Sequence, residues 1–126
     1  MPTADINFIL DQSVDIHCTE AVRVPDWAKS AAVIIPQIVD GAVTMEFMAF
    51  ADATAATLLP SNDTGWYTVR VPIIEANILV TVLASTLDPA CVNLREFMQG
   101  LAGGYIRFNC AGNQTADSAW RIIFVG

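Results

Sequence analysis

The sequence is poor in charge. Lysine and arginine together number 6 and aspartate and glutamate 13, so charged residues make up 15% of the 126 residues, against about 25% in an ordinary soluble domain. The cations Arg23, Lys29, Arg70, Arg95, Arg107 and Arg121 are scattered, and the net charge is −7. Nucleic acids and anionic membrane surfaces both demand clustered cations, so neither is expected as a partner. Long hydrophobic runs are also missing. Stretches such as Ala31–Pro36 and Ile78–Ala84 fall far short of the roughly 20 residues of a membrane-spanning helix. Cysteine is scarce and odd in number: Cys18, Cys91 and Cys110 form no close pair and no Cys-x-x-Cys, which argues against a disulfide framework. A single histidine, His17, cannot complete a zinc site of the usual kind, so neither metal nor cofactor is expected. The start, Met1-Pro2-Thr3-Ala4-Asp5, lacks the basic region and apolar core of a signal peptide, and synthesis in a reducing cytoplasm is the expectation.

What is present is apolar: 54% of the residues are hydrophobic. Disorder is excluded by that composition. The expectation is one domain over residues 1–126 that hides part of its surface against other subunits.

The pattern is short and β-like, with Val, Ile, Thr and aromatic runs broken by Gly, Pro, Asn and Asp. Ile6–Leu10 is an apolar run near the start. Val14, Ile16 and Cys18 alternate with Asp15 and His17, predicting a half-buried strand, and Val22 and Val24 repeat the alternation up to Pro25. Ala31–Ile35 ends at Pro36, and Asp40-Gly41 suits a hairpin turn. Thr44–Phe50 predicts a strand with Met45 and Phe47 on one face and Met48 and Phe50 on the other, hence cover on both sides. Trp66–Val71, Ile78–Leu83, Tyr105–Cys110 and Trp120–Val125 predict further strands, and Asp88-Pro89 opens one short helix around Val92–Gln99. About eight strands without βαβ alternation predict an all-β fold, a sandwich or barrel.

No constellation of reactive residues stands out. Asp15 and His17 share a face of the predicted strand, but no nucleophile accompanies them. His17 and Cys18 are adjacent in a strand and point to opposite faces. Phosphate loops, dinucleotide fingerprints and calcium loops are absent; Gly100–Gly104 follows the predicted helix rather than opening one. The expectation is that the chain is not an enzyme. Trp27, Trp66, Tyr67, Tyr105 and Trp120 are the flat rings on which a sugar could stack, or else ordinary core and interface residues.

The order of segments carries a resemblance. Ala42-Val43-Thr44-Met45-Glu46-Phe47, then Gly65-Trp66-Tyr67-Thr68-Val69, Leu87-Asp88-Pro89-Ala90, Tyr105-Ile106-Arg107-Phe108, Asn113-Gln114-Thr115-Ala116-Asp117 and Arg121-Ile122-Ile123 resemble small virion structural proteins of tailed bacteriophages over roughly residues 31–126. The resemblance implies a jelly-roll-like sandwich that binds the capsid exterior as a decoration, or cement, subunit. Its implied partners are the major capsid protein and further copies of itself, as a homotrimer. It implies no catalytic residues. Ile6, Phe8, Ile9 and Leu10, apolar and near a chain end, are the candidate docking arm within residues 1–12; the alternative is that they form the first strand of the sandwich. The competing function is a tail-fibre or lectin-like glycan-binding module.

Overall fold

The computed structural model describes residues 1–38, 41–71, 79–80, 82–84 and 88–126. Within them the alternating and β-branched runs become antiparallel strands: β1 (Thr3–Leu10), β2 (Val22–Arg23), β3 (Ser30–Ile35), β4 (Val43–Met48), β5 (Tyr67–Thr68), β6 (Arg70–Val71), β7 (Leu79–Val80), β8 (Val82–Ala84), β9 (Ala90–Asn93), β10 (Tyr105–Cys110) and β11 (Ser118–Val125). One sheet runs β1-β11-β3-β9; the other runs β2-β10-β4-β5, with β8 also paired to β4. β6 and β7 make a separate two-stranded ribbon. The pairs β1:β11, β2:β10, β3:β9 and β4:β8 nest inside one another along the chain. A long hairpin folded in this nested way and wound into two sheets is a jelly roll, so the expected all-β sandwich is the fold of this chain.

Alternation decides what each strand contributes to the core. Phe8 and Leu10 of β1, Ala31, Val33 and Ile35 of β3, and Trp120, Ile122 and Phe124 of β11 point inward from the first sheet. Val43 and Met45 of β4 and Ile106, Phe108 and Cys110 of β10 meet them from the second. Phe108 stacks on Phe8 at 5.7 Å and on Trp120 at 5.5 Å between ring centroids, which ties the sheets together near the middle. The Trp120 indole N–H donates to Ser118 Oγ at 2.8 Å, so the ring is buried without an orphaned donor.

Four expected elements differ. The predicted strand at Val14–Cys18 is a turn, with only Cys18 bridged to Asn109. Local acceptors win there: Asp11 O receives the N–H groups of Val14 and Asp15, and Asp15 Oδ1 receives those of His17 and Cys18, both at 2.8 Å. The helix expected around Val92–Gln99 is half strand. Val92 pairs with Val33 of β3, and only Arg95–Phe97 forms a turn of 3-10 helix after Asn93 accepts the Arg95 N–H. So short a segment gains more from a sheet ladder than from an isolated helix nucleus. The strand at Thr44–Phe50 ends at Met48, and Phe50 begins a 3-10 turn with 59% of its surface exposed. Trp66–Val71 divides into β5, paired with β4, and β6, paired with β7. Asp40 of the expected hairpin turn, and Ile78 and Thr81 of the expected strand, lie outside the described residues. Gly41 itself sits at φ +90°, where an added Cβ would stand 2.1 Å from the Gly112 nitrogen, so this crossing of two loops admits only glycine.

Candidate functional site

The residues singled out for chemistry are not arranged for it. The His17 Nδ1 lies 2.9 Å from the Cys110 carbonyl, while Asp15 is occupied by backbone N–H groups rather than by the imidazole. Cys18 and Cys110 are buried, and burial pushes their thiols up to about 11 and about 12; at neutral pH they are protonated and poor nucleophiles. Among the described residues no three His, Cys, Asp or Glu side chains group as metal ligands, and no helix is long and apolar enough to cross a membrane. An open cleft of about 480 Å³ is lined, among the described residues, by Ala28, Lys29, Arg95, Met98, Gln99 and Gly100, a set without a carboxylate, histidine or thiol.

The most elaborate polar arrangement lies on the outer side of the second sheet. Arg107 of β10 stands opposite Glu46 of β4 and is fully buried. Its Nε donates to Glu46 Oε1 at 2.7 Å, and its Nη1 donates to the carbonyls of Asn62 at 2.8 Å and Pro60 at 3.3 Å. The guanidinium carbon lies 4.4 Å from the centroid of the Trp66 ring, whose indole N–H donates to Thr57 O at 3.0 Å. Arg107 therefore clasps the 49–66 excursion against the sheet. Met48, buried on that outer side with its Cε beside Gly65, receives its second covering from this excursion. The cover expected for β4 is thus a loop of the same chain.

The docking candidates lie in β1. Phe8 and Leu10 are buried in the core, Ile6 is half-buried against it, and Ile9 faces outward with 43% exposure. The outer face of the first sheet, seen row by row, places Asp5, Ile123, Ala32 and Asn93 side by side, then Asn7, Arg121, Ile34 and Cys91. Its only charged strand residues are Asp5 and Arg121, and they pair with each other: Arg121 Nε donates to Asp5 Oδ1 at 2.7 Å and Nη2 to Oδ2. That hydrogen-bonded pair holds the Asp5 carboxyl below the usual carboxylate range and raises Arg121. On a chain of net charge −7, the strand residues of this face carry no net charge, and Ala32, Ile34 and Ile123 form an aliphatic centre bordered by Asn7, Asn93 and the Asp5–Arg121 pair. No family model, curated protein or solved structure matches the chain. The likeness to phage virion proteins therefore rests on the quoted residues alone.

Of the aromatic candidates, Trp66 lies under Arg107 and Trp120 is in the core. The Tyr105 ring stacks nearly parallel to Phe50, 7° apart in plane, with the Arg23 guanidinium 4.5 Å from the Phe50 centroid. Trp27, at 37%, and Tyr67, at 70%, keep exposed faces. Sequence reasoning did not find the Arg107 clasp or the neutral face. The face had a signal, since Ala31–Ile35 and Ile122–Val125 are apolar at every position rather than at alternate ones. The clasp had none, because two charged residues in two distant strands do not announce their register.

Proposed function

We propose that this chain is a structural protein of a phage head, a decoration subunit that binds the outer surface of the capsid and stabilises it by bridging neighbouring capsomers. The observation that carries this reading is the outer face of the first sheet, without net charge and with an aliphatic centre at Ala32, Ile34 and Ile123, on a domain otherwise acidic. Apolar surface removed from water contributes about 25 cal/mol per Å² before the cost of association, and copies on a symmetric shell add through multivalency. A jelly roll is compatible with the role because the fold itself specifies no reaction. The exposed rings of Trp27 and Tyr67 support the second reading, a glycan-binding module of the tail.

The deciding measurement is the copy number of the chain in particles purified from its native source, relative to the major capsid protein. A ratio comparable to the shell protein is the expected result. A handful of copies per particle would move the chain to the tail and favour the glycan reading. Absence from particles would overturn both.

A further inference from the structure

β1 is an edge strand whose ladder is open along most of its length. At one end Gly126 N donates to the Pro2 carbonyl at 3.0 Å, extending the pairing with β11. At the other end Ile9 turns both of its peptide groups away from β11. Its N–H donates to Glu20 Oε1 at 2.9 Å and its carbonyl accepts from Glu20 N at 3.0 Å. Peptide directions alternate along a strand, so Thr3, Asp5 and Asn7 also aim their N–H and C=O groups away from β11, and all three residues are exposed. Beside this edge runs a groove between β1 and the segment leading into β2, lined by Ile6, Asn7 and Phe8 on one side and by residues 20–23 on the other. The open part of this edge, Thr3 to Asn7, is a template for another strand.

We propose that the occupant is the β1 edge of a second copy of this chain, added antiparallel across a two-fold axis with Ile6 opposite its own symmetry mate. Charge permits this partner and selects the register. Two chains of net charge −7 repel, so a seam between them is favoured where its own charge is cancelled, and Asp5 is neutralised by Arg121 in the same sheet. In this register Asp5 stands opposite Asn7 of the second copy. A shift that put Asp5 opposite Asp5 would set like charges face to face, which destabilises a ladder. Each Asp5–Asn7 pair exchanges its two backbone hydrogen bonds, and the axis repeats the pair. The two Ile6 side chains meet over the groove. Ile9 lies opposite Thr3, where Glu20 already occupies its peptide groups and ends the pairing. The seam joins two first sheets into one continuous sheet and extends the neutral outer face across both copies. Because the contact is isologous it closes as a dimer, where the resemblance to virion proteins implies a trimer.

The test begins with the solution mass of the full chain. Light scattering during gel filtration is expected to give twice the chain mass of 13.6 kDa. Asn7→Pro removes an N–H that β11 does not use, and proline is tolerated on an edge strand. This variant is expected to remain folded by circular dichroism and to elute at half the native mass. In a Cys91→Ser background, Ile6→Cys is expected to give a disulfide-linked dimer with diamide as oxidant, since a non-hydrogen-bonded pair brings the two Cα atoms to about 4.5 Å. Asp5→Cys should remain largely unlinked. A monomeric or trimeric native chain, a dimer that survives Asn7→Pro, or efficient linking through position 5 instead of position 6 would overturn the proposal.

Discussion

Arg107 concentrates in one side chain most of what fixes the outer side of the second sheet. A guanidinium buried to 1% exposure must have its charge and its donors answered, and here Glu46, two loop carbonyls and the face of Trp66 answer them. Removing the cation leaves Glu46 as a largely buried carboxylate without its partner, the situation in which a broken pair costs about 3–5 kcal/mol. Arg107→Ala is therefore expected to lower the denaturation midpoint by that equivalent. Replacing both partners, with Arg107→Met and Glu46→Leu, is expected to recover much of the loss, and a urea-denaturation double-mutant cycle measures the difference. A single loss below about 1 kcal/mol would show that the clasp is not what holds the 49–66 excursion. None of this was legible from the sequence, where Arg107 is one scattered cation and part of a Tyr-x-Arg element. Its role follows from register, Arg107 opposite Glu46, and register is a long-range property that local pattern does not carry.

At the scale of elements, alternation was a sound guide wherever the strand was long and paired on both sides. β10 and β11 coincide closely with the runs Tyr105–Cys110 and Trp120–Val125, and β4 follows the run Thr44–Phe50 as far as Met48. It misled at Val14–Cys18, because two aspartates capture the backbone before a sheet can. It also misled at Val92–Gln99, where β3 supplies a ladder that the local sequence does not advertise. β1 shows both sides of the problem. Its apolar run was legible, but whether it docks outward or packs inward depends on which residues face Trp120 and Ile122. The two faces of this one strand predict opposite mutational behaviour. Leu10, fully buried, is expected to lose about 2–5 kcal/mol on truncation to alanine. Ile9→Thr, one residue away on the outer face, is expected to stay within about 0.5 kcal/mol at protein concentrations low enough to keep the chain monomeric. Thermal or urea denaturation compares them directly. Equal losses would mean that β1 is held by its backbone ladder rather than by side chains inserted in the core.

At the scale of the molecule, composition and topology point the same way. A domain with 15% charged residues has too few to dress every face, and the jelly roll distributes that shortage unevenly. The second sheet is covered by its own chain through the 49–66 excursion, while the first sheet presents Ala32, Ile34, Ile123 and Val125 between Asn7, Asn93 and one internally cancelled ion pair. If that face docks on a shell, the contact is driven by apolar burial and not by charge. Its affinity should then change little between about 50 mM and about 500 mM sodium chloride, a range over which exposed charge interactions are largely screened, and it should strengthen in sulfate. Ile34→Lys and Ile123→Lys place a solvated cation in the middle of the face without touching the core, since both side chains point away from it. They are expected to leave a folded protein with native far-ultraviolet circular dichroism and to abolish retention on particles stripped of the native chain. Cosedimentation with such particles across the salt series reads both effects. Steep weakening with salt, or full retention of the lysine variants, would move the docking surface away from the first sheet and onto the acidic remainder of the molecule.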